Sequence, residues 1–554
     1  MDIRKKLVLY LEKQIDLSKE EINLSLEVPS NSEFGDFALP CFILSKIKKE
    51  NPNKISIDLA KKLKLPSFIE KVESKGIYLN FYVKGNLIVK EALDFNPSFK
   101  PKKEKIMVEF SQPNTHKSFH IGHLRNVLIG DSLVRILKFN GYNVTPVNYI
   151  GDIGTHVAKS IWYLENFVKK YPKEDYGTWL GELYSKANLK LGDNKEYKEE
   201  VDLIHKKLDD EDKRLTKLWQ KTRKWSLDEF NKIYKELDVH FDKDFFESEI
   251  IEDGKKIVKD LLKKKIAKYD QGSVLVDLGK LKVFLILKSD GTPLYSTKDL
   301  ALAKLKFEKY KIDKNIYVVG SEQEFYFKQL FKTLEIMGFK NSDKCVHISY
   351  GLVQLSDGKM SSRLGNVINY FDFSSKVKKD ASYEIEKRHK DWSQSKIKKT
   401  SEIISMAAIK FTMLGKDTKK FIKFNVKESL SFEGESGPYI QYVYTRIQSI
   451  INKSKIKTLK ADVDLLNHPL EKQISNKILE FSKVVEKITK NYQINLLGRY
   501  LLDLSQLFNE YYQNVKILDE DQKTQSSRLT LIKKVQQIIK QGLELLGINV
   551  VEEM

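Results

Sequence analysis

Between residues 106 and 370, short apolar runs of β character (106–110, 144–149, 316–319 and 346–350) are separated by longer stretches of helical periodicity. No other feature limits the possible folds so strongly. A strand that returns parallel to its neighbour needs a crossover of a dozen or more residues, and a helix supplies one. The alternation predicts βαβ units and a doubly wound parallel sheet, with ligands gathered beyond the carboxyl ends of the strands. In that position, after Phe110, stands His120-Ile121-Gly122-His123, where Val127, Leu128, Ile129, Leu133, Val134, Ile136 and Leu137 begin to repeat at helical spacing. At i and i+3 the two imidazoles share one face of the first turn. Gly122 leaves bare backbone for a flat ligand, and the helix N-terminus adds free N–H groups and partial positive charge. The set suits a nucleoside triphosphate held without a Walker-type loop, which the chain lacks.

A histidine pair at a helix start is more often without chemistry, and His-x-x-His could be half of a metal site, but no further ligand stands nearby. A second segment changes the balance. Ser356-Asp357-Gly358-Lys359-Met360-Ser361-Ser362-Arg363-Leu364-Gly365-Asn366 is a turn-rich, basic, hydroxyl-bearing loop after the strand-like run 346–350. Lys and Arg number 97 against 76 Asp and Glu, a net charge of +21, enough to attract a polyanion. A merely lysine-rich composition would give the same balance. Two cysteines, Cys41 and Cys345, support neither a disulfide framework nor a cysteine metal site. No stretch approaches the roughly 18 apolar residues of a membrane span, and the charged N-terminus has no apolar signal core. A soluble, cytoplasmic setting follows.

Along the chain, residues 1–100 read as a small α+β unit, with a proline- and lysine-bearing linker at 97–105. Residues 106–370 form the α/β region, in which the charged helical stretch of about 160–240 reads as an insertion. Residues 371–400 read as a charged connector, and 401–554 as an all-helical bundle with almost no strand signal.

Read together and in this order, His120-Ile121-Gly122-His123 and Lys359-Met360-Ser361-Ser362-Arg363 resemble the HIGH and KMSKS signatures of class I aminoacyl-tRNA synthetases. The stretch Ser111-Gln112-Pro113-Asn114-Thr115-His116-Lys117 before the first motif narrows the resemblance to the arginyl-tRNA synthetase family. The blocks Gly151-Asp152-Ile153-Gly154-Thr155, Tyr295-Ser296-Thr297-Lys298-Asp299 and Gly437-Pro438-Tyr439-Ile440-Gln441-Tyr442 agree with it. The resemblance implies a Rossmann-type catalytic domain, an N-terminal domain that grips the tRNA elbow and a C-terminal anticodon-binding bundle. It implies formation of arginyl-adenylate from L-arginine and ATP, then transfer to tRNA-Arg. A monomer is expected, though the sequence itself leaves the oligomeric state open. Magnesium would accompany ATP, with no metal held by the protein itself.

The same resemblance places His120, Gly122, His123, Lys359, Met360, Ser361, Ser362 and Arg363 at ATP. Glu247, Tyr295 and Asp299 would surround the guanidinium, and Asn114 and Gln323 the α-amino and carboxylate ends. A planar, permanent cation suits such carboxylates, and Tyr295 and Asp299, at i and i+4, can share a helix face. The sequence departs from the family pattern at Ser362, where the second signature lysine would stand, and Lys117 and Arg363 compete to replace it. Ile153, Phe246 and Lys298 are milder departures. Gln441, Tyr444 and Arg446 are the preferred tRNA-contacting residues on the bundle. Three rivals remain open: another class I synthetase, a nucleotidyltransferase indifferent to tRNA, and a silent nucleic-acid-binding module.

Overall fold

The computed structural model of the chain describes residues 3–29, 32–289, 291–356, 368–456, 458–519 and 521–554. They fall into two compact units. One gathers residues 1–97, 443–484 and 500–541, and the other 98–442, 485–499 and 542–554.

The larger unit is built on five parallel strands: β1 (Lys105–Glu109), β2 (Asn143–Ile150), β3 (Lys243–Phe246), β4 (Lys314–Gly320) and β5 (Cys345–Tyr350), in the spatial order β5-β4-β1-β2-β3. The pairs Lys105↔Asn143, Val147↔Lys243, Lys314↔Ile106 and Asn315↔Cys345 fix the register. The order reverses between β1 and β4, so a crevice opens where the loops after these two strands part in opposite directions. Met107, Val147, Phe245 and Tyr317 lie in one of its buried cores, with helix residues such as Ile257, Leu300 and Leu330. The expected insertion is four helices, Thr155–Phe167, Tyr176–Leu191, Lys195–Asp209 and Lys213–Glu236, with small cores around Trp162, Ile161 and Leu180.

The structure adds to the sequence reading in three places in this unit. A three-stranded antiparallel sheet, Ala267–Asp270, Ser273–Asp277 and Val283–Leu287, stands apart from the parallel one. It had a legible signal: Asp270 pairs with Ser273 across Gln271-Gly272, both at positive φ, the backbone of a two-residue hairpin turn. The charged connector at 371–400 is built into two helices, Tyr370–Arg388 and Gln394–Leu414, with a buried stripe that includes Phe373, Val377, Ile385, Ile397 and Ile404 and with the charges between 371 and 400 outside it. Beyond residue 401 there is a strand, Ile422–Phe424, which pairs in parallel with Val353–Leu355.

In the smaller unit, three antiparallel strands in the order Phe37–Pro40, Tyr78–Val83, Ile69–Lys75 pack with five helices drawn from residues 3–94. Residues of the later bundle join them: Lys472 Nζ donates to Asp36 Oδ2 (2.9 Å) and to the Val83 carbonyl (3.0 Å), and Leu479 packs on the N-terminal core. The amino-terminal region and much of the bundle therefore form one unit, which local periodicity gave no reason to expect.

Candidate active site

The helix Ile121–Phe139 begins at His120, whose backbone is extended and whose ring caps the first turn. Gly122 N–H donates to His120 Nδ1 (3.1 Å), and His120 N–H donates to His123 Nδ1 (3.3 Å). The rings stack at 3.8 Å. A nitrogen that accepts a backbone N–H carries no proton, so each imidazole is the neutral tautomer with its Nε2–H free to donate. Burial acts the same way, pulling His120 down to about 4 and His123 well below its ordinary value, with the Lys117 charge a smaller cause for both.

The turn between β1 and this helix is strained. Ser111, Gln112 and His116 all have positive φ, costly for side chains of this size. Buried amides and hydroxyls hold it: Ser111 N–H donates to Asn126 Oδ1 (2.6 Å), Gln112 N–H to Asn148 Oδ1 (3.0 Å) and His116 N–H to Ser226 Oγ (2.9 Å). This turn carries Asn114 against Gly151. A Cβ at Gly151 would lie 2.2 Å from Asn114 Oδ1 and 3.4 Å from Glu247 Oε1, so the two acceptors converge where a side chain is missing. Lys117 lies over the Tyr184 ring, 5.2 Å from its centre.

Glu247 opens the helix Glu247–Lys263 directly after β3, and Asp152 pins that turn by accepting from Ser248 N–H (3.0 Å) and Ser248 Oγ (2.7 Å). Tyr295 likewise opens the helix Tyr295–Tyr310, where Ser296 Oγ donates to the Leu285 carbonyl (2.5 Å). Lys298, in the same first turn, pairs with Glu247 Oε2 and lies 4.9 Å from the centre of the Tyr295 ring. Asp299 accepts from the Tyr326 hydroxyl. Burial raises its carboxyl to about 7, helped by the charges of Glu109 and Glu247. Glu247, Tyr295 and Asp299 are thus brought together, with Tyr295 57% exposed and Glu247 buried. Gln323 is exposed in the 3₁₀ turn after β4.

Two residues escaped the sequence reading. The Tyr149 hydroxyl is buried and has no hydrogen-bond partner among the described residues, with the charges of Asp299 and Glu247 acting on it. Arg125, wholly buried, donates to the backbone carbonyls of Gly351, Lys420 (2.8 Å) and Asp417 (3.3 Å). It ties the signature helix to the backbone that enters Val353–Leu355. Nothing local marks either one, because each partner comes from a distant segment. The second signature, Lys359, Met360, Ser361, Ser362 and Arg363, lies outside the described residues.

The description "tRNA synthetases class I (R), catalytic domain" matches residues 86–425, more than half of the chain. "Arginyl tRNA synthetase N terminal domain" matches 1–83, and "DALR anticodon binding domain" matches 440–554. An arginine–tRNA ligase of Bdellovibrio bacteriovorus is 37% identical over 97% of this chain and 95% of its own length. The chain belongs to the arginyl-tRNA synthetase family. Another such ligase, from Clostridium perfringens, is 36% identical with both chains covered in full. The fold is also that of the arginyl-tRNA synthetases of Thermus thermophilus (TM-score 0.84, 24% identity, all of both chains) and Plasmodium falciparum (TM-score 0.81, 24% identity, 100% and 99%).

Among the tRNA-facing candidates, Gln441 requires correction. It is fully buried and donates to the Asn549 carbonyl (2.6 Å), so its amide serves packing within the fold and offers no surface. Helical periodicity alone could not tell its face from that of its neighbours. Tyr444 and Arg446 are half-buried, and Arg446 donates to Asn509 Oδ1 (2.8 Å). No helix among the described residues is long and apolar enough to cross a membrane.

Proposed function

We propose that this chain, an arginine–tRNA ligase by family, activates L-arginine on the floor between β1 and β4 and passes it to tRNA-Arg. The observation that supports this most is the state of the two histidines. Both Nδ1 atoms accept backbone N–H groups, which leaves two neutral Nε2–H donors side by side at a helix N-terminus. The arginine carboxylate attacks the α-phosphate of magnesium-bound ATP in line, and the P–O bond to pyrophosphate breaks. No covalent nucleophile is needed, only donors placed where charge develops. His120, His123 and the bare backbone at Gly122 serve the phosphates. Lys359, with Met360, Ser361, Ser362 and Arg363, closes over the leaving pyrophosphate, and Lys117 supplies the charge that Ser362 lacks. The tRNA 2′-hydroxyl then attacks the adenylate carbonyl and releases AMP.

Asp299, Tyr295 and Glu247 receive the guanidinium, while Asn114 and Gln323 hold the α-amino and carboxylate ends. On the tRNA side, Tyr444 and Arg446 offer a ring and a charge to unpaired nucleotides. The protein works as a cytoplasmic monomer. Arginine-dependent ATP–pyrophosphate exchange across all twenty amino acids, with and without tRNA, tests the reading. Exchange with arginine alone supports it. Exchange with another amino acid refutes the pocket assignment, and exchange indifferent to tRNA with a small metabolite returns the chain to a nucleotidyltransferase. Lys117→Ala should lower kcat by ~10²–10³ and Arg363→Ala by much less. The reverse ranking gives the role to Arg363.

A further inference from the structure

Three carboxylates lie close enough to act on one another, Glu109, Glu247 and Asp299, with the Lys298 charge the smallest of the influences on Asp299. Two have a cation of their own. Lys306 pairs with Glu109, both buried, and Lys298 pairs with Glu247, their side chains only 9% and 7% exposed. Asp299 has no cation within ion-pair distance among the described residues and is met only by the Tyr326 hydroxyl. The Lys298 ammonium also sits 4.9 Å from the centre of the Tyr295 ring, whose outer side is open. Lys298 is thus buried between Glu247 and the Tyr295 ring, while Tyr295 itself stays 57% exposed.

We propose that Lys298 is a specificity-determining residue: by holding Glu247 in an ion pair it leaves Asp299 as the carboxylate that takes the substrate charge, so the pocket admits one positive charge. This rests on the assignment of the pocket to arginine. Glu247 then takes part as a hydrogen-bond acceptor whose charge is already met. An ion pair buried this deeply is a weak source of stability, because desolvation offsets the attraction. Its consequence is electrostatic. With the pair intact, an arriving guanidinium completes the charge balance at Asp299, whereas a neutral side chain leaves that carboxylate to be buried unpaired.

The test is a double-mutant cycle in the full chain, read as KM and kcat for arginine in aminoacylation of tRNA-Arg. Glu247→Gln should raise the arginine KM by ~10²–10³, since it leaves the Lys298 ammonium unpaired beside the incoming charge. Glu247→Gln with Lys298→Met should bring KM back to within about tenfold of the parent, because glutamine still accepts hydrogen bonds and the charge count is restored. The proposal is overturned if the double variant binds arginine as poorly as Glu247→Gln, which would mean that the substrate itself takes the Glu247 charge. A structural role alone would depress kcat and thermal stability without rescue of KM. The double variant replaces a buried pair by neutral groups of similar size, a change proteins tolerate, so it decides the matter even where a single variant does not fold. Asp299→Asn separates the two levels: an unchanged arginine KM there would refute the pocket assignment itself.

Discussion

Asp299 should make arginine recognition depend on pH in a range where free aspartate would not. Its carboxyl is raised from 3.8 to about 7, chiefly by burial, while a guanidinium partner requires the ionised form. In the free enzyme, kcat/KM for arginine should therefore rise about fivefold from pH 6 to pH 7, about twofold more by pH 8, and level off above that, with a limiting slope of about 1.4 kcal/mol per pH unit well below pH 7. The kcat at saturating arginine should lack this step, since the bound guanidinium holds Asp299 ionised. Stability runs the other way. Between 3.8 and about 7 the folded protein keeps a proton that the unfolded chain has lost, so stability falls as pH rises through that window. The loss is complete above it and amounts to about 4 kcal/mol at 1.4 kcal/mol per pH unit. Asp299→Asn should consequently melt higher than the parent at pH 8, lose the step, and bind arginine ~10²-fold more weakly. Initial rates of aminoacylation from pH 5.5 to 8.5, paired with calorimetric melting, measure both effects. A flat profile below pH 7, or a step that survives in Asp299→Asn, would refute the argument.

Three further outcomes follow from the geometry. Both signature histidines are already neutral, His120 being held down to about 4, so exchange at saturating substrates should show no histidine step near pH 6.5. His123→Gln should still lower kcat by ~10²–10³, and a step near 6.5 that vanishes in that variant would contradict the tautomer argument. Gly151→Ala puts a methyl group 2.2 Å from Asn114 Oδ1. A strain of ~1–3 kcal/mol should appear as a rise of roughly 10–100-fold in the arginine KM with the ATP KM unmoved, and an arginine KM within twofold of the parent would count against the Asn114 assignment. Arg125→Met strips the carbonyls of Gly351, Asp417 and Lys420 of their donor. Roughly 3 kcal/mol of stability should be lost, along with more than tenfold in exchange rate, and a variant that melts and exchanges like the parent would show that the tie carries neither.

The sequence by itself settled whatever depends on neighbours along the chain. The strands near 106, 144, 316 and 346 stand where their apolar runs placed them, because a fully buried parallel strand must be apolar on both faces. The His120-Ile121-Gly122-His123 turn caps its helix because residues three apart necessarily meet there. Tertiary structure alone decided the rest. The charges at 371–400 suggested only a connector, yet a helix shows the same charges on its outer face while burying Phe373 and Ile397. Gln441 and Tyr444 lie three apart on one helix and so share a face, and only the fold shows that Gln441 is fully covered and donates to the Asn549 carbonyl while Tyr444 stays half-buried. Above all, the electrostatics of the pocket come from pairs that no local rule joins: Lys298 with Glu247 across 51 residues, Lys306 with Glu109 across 197, Arg125 with Gly351 across 226. A charge acts through space and its cost depends on burial, so which carboxylate is left to receive the substrate is fixed only once the chain has closed around it.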